Sequence, residues 1–159
     1  MKTLLFTLAA SLALHAAAGA EAIEAPGPYD EAALGATQVT EALARARPTG
    51  RRVLLVFGAN WCADCRAMDA LFKSSAEISA QLAAGYELVR IDVGRDEVPR
   101  KNAALIERFR VALETGIPVL VVADANGKPL TDTKKERLAD TDQRDPAKVL
   151  RFLKQWAKQ

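Results

Sequence analysis

The stretch Val53-Leu54-Leu55-Val56-Phe57-Gly58-Ala59-Asn60-Trp61-Cys62-Ala63-Asp64-Cys65 decides how the rest of the chain is read. Val53 to Phe57 is an unbroken apolar run with β-branched content, the pattern of a strand buried on both faces in the centre of a parallel sheet. Gly58 to Trp61 leads out of it, and from Cys62 onward Met68, Leu71 and Phe72 recur at helical spacing. A Cys-x-x-Cys therefore stands where a buried strand gives way to a helix, a context that points to redox chemistry. At the start of a helix, positions i and i+3 lie on one side, so the two sulfurs come within reach of a disulfide. The first cysteine faces unpaired backbone N–H groups, and those donors together with the helix dipole stabilise a thiolate. Cys62 is the expected nucleophile, and Cys65, one turn inside, the expected resolving thiol. Attack of the Cys62 thiolate on a disulfide makes a mixed disulfide, and attack of Cys65 on Cys62 then releases the reduced product. The competing reading is an inert structural bond, which a loop this short disfavours because closing it removes little chain entropy.

Upstream, residues 21–28 carry Pro26, Gly27 and Pro28 and read as a linker or N-terminal arm. Tyr29 or Asp30 opens a helix to about Ala46, with Leu34, Val39 and Leu43 on one face, and Pro48-Thr49-Gly50 stops it. Downstream, Ser74 and Ser75 break the helical pattern, which resumes from Glu77 to Ala84. Tyr86 to Asp92 reads as a second strand, and a polar loop runs through Pro99. Asn102 to Phe109 is a helix with Leu105, Ile106 and Phe109 as its core face, and Val119 to Ala123 is a further buried strand. Asn126-Gly127 signals a type I′ hairpin turn, in which both central residues need positive φ. Leu130-Thr131 returns as a short strand, placed at a sheet edge by Pro129. Asp145-Pro146 looks like an N-cap with proline at the first helical position, followed by the apolar stripe Val149, Leu150, Leu153 and Trp156. Strands alternating with helices until one late hairpin predict an α/β fold: a central mixed sheet of about four to five strands with helices on both faces.

The first twenty residues read as a signal peptide. Lys2 is a short positive region, Leu4 to Leu14 is apolar but too short to span a bilayer comfortably, and Ala18-Gly19-Ala20 offers small residues for cleavage after Ala20. The other reading is a buried helix or an uncleaved anchor. Cleavage there lowers the formal charge of +2 by one, because Lys2 goes, and removes His15, the chain's single histidine. Catalysis by Ser-His-Asp or Cys-His, histidine-ligated metal sites and an imidazole switch are then excluded. Two thiolates alone cannot complete a structural zinc site, so no metal and no cofactor is expected. The near-balanced charge argues against nucleic acid as a partner. The clusters Arg51-Arg52 and Lys134-Lys135-Glu136-Arg137 read as solvated faces.

At this point Val53 to Cys65 resembles the strand and active-site segment of the thioredoxin superfamily, with its W-C-x-x-C signature. Thr115-Gly116-Ile117-Pro118, followed by an apolar strand, resembles the family's G-I-P element. Together they identify residues 29–159 as a thioredoxin-like domain. The resemblance implies a thioredoxin-like fold with a cis peptide at Ile117-Pro118 beside the cysteines, leaving the Ile117 backbone free to pair with an extended substrate. It also implies that Trp61 forms the apolar rim of the site; Trp156, on its helical stripe, reads as core. Among relatives, the leader and motif most resemble periplasmic thioredoxin-like reductases and the C-terminal thioredoxin-like domain of membrane electron-transfer reductases. Four departures stand out. Val56 occupies the position of the family's buried aspartate, an acid thought to assist proton transfer to the resolving cysteine. Ala63-Asp64 replaces Gly-Pro between the cysteines, and the helix-kinking proline is missing. Asp132 to Asp142 is longer and more polar than a minimal hairpin.

Asp64 bears on direction. A carboxylate beside Cys62 disfavours its thiolate, with Arg66 as a partial offset, and a less stabilised thiolate makes a more reducing couple. The expected function is an exported thiol-disulfide oxidoreductase, reducing protein disulfides in a bacterial periplasm. Its expected partners are protein disulfides or dithiols and an upstream thiol donor, with a membrane reductase as the candidate, and no stable membrane anchor is expected. Alternatives are a disulfide-forming oxidase, a thiol-based copper(I) protein or metallochaperone, and a thiol peroxidase, for which the peroxidatic sequence context is missing.

Overall fold

In the computed structural model of the protein, residues 27–138 and 142–158 are described; the expected leader, residues 1–20, lies outside them, as does most of the expected arm. Along the described chain run α1 (Gly35–Thr49), β1 (Arg52–Gly58), α2 (Ala63–Ser74), α3 (Ala76–Gly85), β2 (Tyr86–Asp92), α4 (Ala103–Phe109), β3 (Val119–Ala123), β4 (Pro129–Asp132) and α5 (Pro146–Trp156). Short 3-10 turns occupy Leu113–Thr115 and Asp142–Arg144. The sheet order is β2-β1-β3-β4. β1 pairs parallel with β2 and antiparallel with β3, and β3 pairs antiparallel with β4. The mixed sheet flanked by helices is the architecture the alternating pattern predicts, with four strands.

The two-residue period of a strand divides the core into two. Leu54 and Val56 of β1, with Leu120 and Val122 of β3, face Met68 and Phe72 of α2, Ile78 and Leu82 of α3, and Val149, Phe152 and Leu153 of α5. Val53, Leu55 and Phe57, with Val119 and Val121, face Val39, Ala42, Leu43 and Ala46 of α1 and Leu105 and Phe109 of α4. Each such large side chain stabilises the fold by about 1.5–3 kcal/mol when taken from water. β1 is therefore the hub: covered on both faces and paired on both edges, it holds the site at its C-terminal end rigidly.

Several elements depart from the expected boundaries. α1 begins at Gly35, not at Tyr29 or Asp30, because the Asp30 carboxylate accepts from the amides of Ala32 (2.9 Å) and Ala33 (3.2 Å) and holds a turn there. Leu34, expected on the core face, precedes the helix and is exposed, while Tyr29 is buried. At its other end α1 runs past Ala46 through Pro48, and Gly50 closes it in the left-handed region at φ 66°. The expected two-residue turn at Asn126-Gly127 is a longer one starting at Asp124. Asp124 Oδ1 accepts from Asn126 N and Lys128 N, both at 2.9 Å, and only Gly127 takes a positive φ, 83°. Beside this turn the ladder is bulged at Val122/Ala123. In α5, Phe152 takes the fully buried place, and Trp156, expected as core, packs half-buried at the margin. Arg51 is no solvated residue: it pairs with Glu87 at 2.7 Å and donates to the carbonyls of Ala83 and Tyr86, tying the start of β1 to the α3–β2 junction.

Candidate active site

Cys62 is the N-cap of α2, with extended backbone dihedrals, φ −80° and ψ 116°. Its side chain stands where a capping oxygen usually stands, and the Cys65 amide donates to Cys62 Sγ at 3.1 Å. The end of β1 and the loop 59–61 thus aim the first sulfur at the positive end of a helix dipole, where a thiolate is favoured. Cys65 lies one turn on, 1% exposed, beneath Cys62 at 7%. The sulfurs are joined in a disulfide, with the Cα atoms 5.2 Å apart.

Ile117-Pro118 is a cis peptide, and the Ile117 carbonyl oxygen lies 3.5 Å from Cys62 Sγ. Pro118 is buried and Ile117 half-buried, so the segment before β3 forms the wall opposite α2. Trp61 is 44% exposed at the mouth of the site. It is not a loose side chain: Nε1 donates to the Gly94 carbonyl at 2.9 Å, and the Arg95 guanidinium stacks 4.9 Å from the ring centroid. Ala63, between the cysteines, is exposed.

Charge at the site is arranged differently from the expectation. Asp64 forms an ion pair with Arg144, from the 3-10 turn before α5. Arg66, expected to offset Asp64, instead donates through Nη1 to the Asn60 carbonyl at 2.6 Å. The reason is directional: Asp64 at the first turn of α2 projects toward the segment leading into α5, whereas Arg66 reaches back along the loop before the helix.

Three contributors escaped the sequence reading. Asn60 clasps Tyr29, accepting from its amide at 2.9 Å and donating to its carbonyl at 2.8 Å. Arg144 is the second. The third is a charge cluster around the buried Asp69, one turn below Cys65, where Asp69 pairs with Arg90 of β2 and, at 2.6 Å, with the exposed Lys73. Asp69 carried a readable signal, since it breaks the apolar face at i+4 from Cys65; the other two are contacts between distant segments.

A match to the thioredoxin-like family spans residues 35–125. The crystal structure of a disulphide isomerase from Xylella fastidiosa Temecula1 superposes with a TM-score of 0.72 at 37% identity, covering 82% of this chain and 96% of that one. The thiol:disulfide interchange protein DsbD of Ralstonia nicotianae is 34% identical over 114 residues, 72% of this chain; the chain spans only 18% of that relative's length. A thioredoxin from Thermus thermophilus, at 24% identity and a TM-score of 0.53, shares the fold. With the strand order, the capping cysteine and the cis-proline wall, these matches place the chain in the thioredoxin-like family of thiol-disulfide oxidoreductases.

Proposed function

We propose that the chain is an exported enzyme that reduces protein disulfides by dithiol-disulfide exchange. The observation that carries this reading is the placement of Cys62 Sγ, capped by the Cys65 amide and facing the Ile117 carbonyl. Cys62 attacks the substrate disulfide as a thiolate. Cys65 resolves the mixed disulfide, and the substrate leaves reduced as Cys62–Cys65 is oxidised. The free backbone of Ile117, set by Pro118, pairs with an extended substrate chain, and the exposed face of Trp61 supplies apolar contact beside it.

Ala63, Asp64 and Arg66 tune the couple. Asp64 keeps negative charge next to Cys62 and no histidine lies between the cysteines, both of which favour a reducing couple. Relatives named as a disulphide isomerase and a thiol:disulfide interchange protein support exchange with protein partners. An upstream thiol donor, with a membrane reductase as the candidate, returns the pair to the dithiol. The leader-like residues 1–20 support export to a periplasm, where disulfides persist. Among the described residues no helix is long and apolar enough to cross a membrane.

The test is trapping. Cys65→Ser is expected to accumulate mixed disulfides through Cys62 in an extract of the exported compartment, and Cys62→Ser is expected to trap none. Equal, empty yields from both variants overturn the exchange reading. Trapped species identified by mass name the substrates, and a redox titration against dithiothreitol sets the direction.

A further inference from the structure

Resolution asks the Cys65 thiol to become a thiolate inside the apolar cluster between the sheet and α2, α3 and α5, where the residue is 1% exposed. Burial of this kind opposes the charge. Val56, in the same cluster, offers no polar atom. The Tyr29 hydroxyl does. A Cβ built on Gly58 would clash with Tyr29 Oη at 2.2 Å and Cys65 Sγ at 2.9 Å, so hydroxyl and sulfur both crowd the Gly58 Cα from the side a side chain would take. Gly58 does not take a positive φ. Its lack of a side chain, not its backbone freedom, is what the site uses: it leaves room for the hydroxyl to approach the sulfur.

Tyr29 is held in this place. Asn60, two residues before Cys62, takes both its amide and its carbonyl, so the loop leading to Cys62 anchors the Tyr29 backbone. The charged groups acting on the hydroxyl are Asp69 of α2 and Arg90 and Asp92 of β2. Asp69 is paired with Arg90 and Lys73, and Asp92 with Lys101. Burial, the largest influence, pushes the phenol well above its ordinary range, the two carboxylates push the same way, and Arg90 opposes them. The hydroxyl therefore keeps its proton at neutral pH and can donate it in a hydrogen bond.

Building on the exchange reading, we infer that Tyr29 is the hydrogen-bond donor that stabilises the Cys65 thiolate in the resolving step. The Cys65 S–H bond breaks and its proton passes to solvent, while the thiolate accepts from Tyr29 Oη–H. The sulfur's electron pair forms the bond to Cys62 Sγ. The bond from Cys62 to the substrate sulfur breaks, and that sulfur leaves with the pair and takes a proton from solvent. Tyr29 ends the step with the proton it began with.

Dithiobis(nitrobenzoate) separates the two steps on the reduced protein, because attack by Cys62 releases one coloured thiolate and resolution by Cys65 releases the second. Tyr29→Phe is expected to leave the first phase unchanged, to slow the second about tenfold at neutral pH, and to move its pH profile up by about one unit. Fluorotyrosine at position 29 keeps the ring and donates more strongly, so the profile is expected to move down. This second variant decides the matter if Tyr29→Phe does not fold. A second phase with the unaltered rate and profile in the variants overturns the role of Tyr29. Release of only one equivalent of coloured thiolate by the unaltered protein overturns the exchange reading itself, and this inference with it.

Discussion

Cys62 caps α2 and Asp64 follows two residues later in its first turn, so the helix end and the carboxylate bear on the Cys62 sulfur in opposite senses. The helix N-terminus favours a thiolate on Cys62, and the Asp64 carboxylate disfavours it. Arg144 changes that balance, because its guanidinium pairs with the carboxylate. Arg144→Ala is expected to make the couple more reducing, since the carboxylate is left uncompensated beside the sulfur. Asp64→Asn is expected to make it more oxidising. Both partners are partly exposed, 60% for Arg144 and 35% for Asp64, so solvent screens the effect. A pair of this kind is worth about 0.2–1 kcal/mol, or roughly 5–20 mV for a two-electron couple. Equilibration with dithiothreitol reads these shifts, and identical potentials for both variants and the unaltered protein would show that the pair does not tune the site.

At the scale of elements, the helix starts that matter are capped by side chains the sequence displays. Cys62 caps α2 and Ser75 caps α3, where its hydroxyl accepts from Ile78 N. Asp145 caps α5, accepting from Ala147 N at 2.9 Å with Pro146 just inside. Asp145→Ala is expected to destabilise the protein by about 1 kcal/mol, seen as a lower urea midpoint with an unchanged slope. The cap at Asp145 and the strand at Val53 to Phe57 were legible because a few adjacent residues suffice to specify each. The start of α1 was not, because Asp30 could serve as a helix cap or as a turn former. The burial of Tyr29 against the far side of the site settled it as a turn. The hairpin start was misplaced for a similar reason: Asp124 recruits two amides and moves the turn one residue ahead of the Asn-Gly signal.

For the whole molecule, two buried phenols tie stability to alkaline pH. Tyr29 and Tyr86 are both raised above the ordinary value of 10.0, chiefly by burial, and Tyr86 also donates to the Leu153 carbonyl at 2.7 Å. Above about pH 10 the unfolded chain releases these protons while the folded chain retains them, so the unfolded state holds fewer and stability falls as pH rises. Below that pH the contribution is fully present. The loss approaches about 1.4 kcal/mol per pH unit for each tyrosine. Urea midpoints measured from neutral to strongly alkaline pH are expected to decline above about pH 10, and less steeply in Tyr29→Phe. A decline of the same slope in that variant would remove Tyr29 from the cause. What the sequence alone determined was local: the buried strand, the cysteine at a helix start, the Ile117-Pro118 segment, and with them the fold class and the Cys-x-x-Cys pair proposed to react. Short windows encode these through side-chain period, capping chemistry and turn residues. Only the tertiary structure decided that Asn60 clasps Tyr29 across 31 residues and that Asp64 meets Arg144 across 80. Such partners are chosen by which segments the sheet order brings together and by which groups must be satisfied once water is excluded, and no local pattern records that choice.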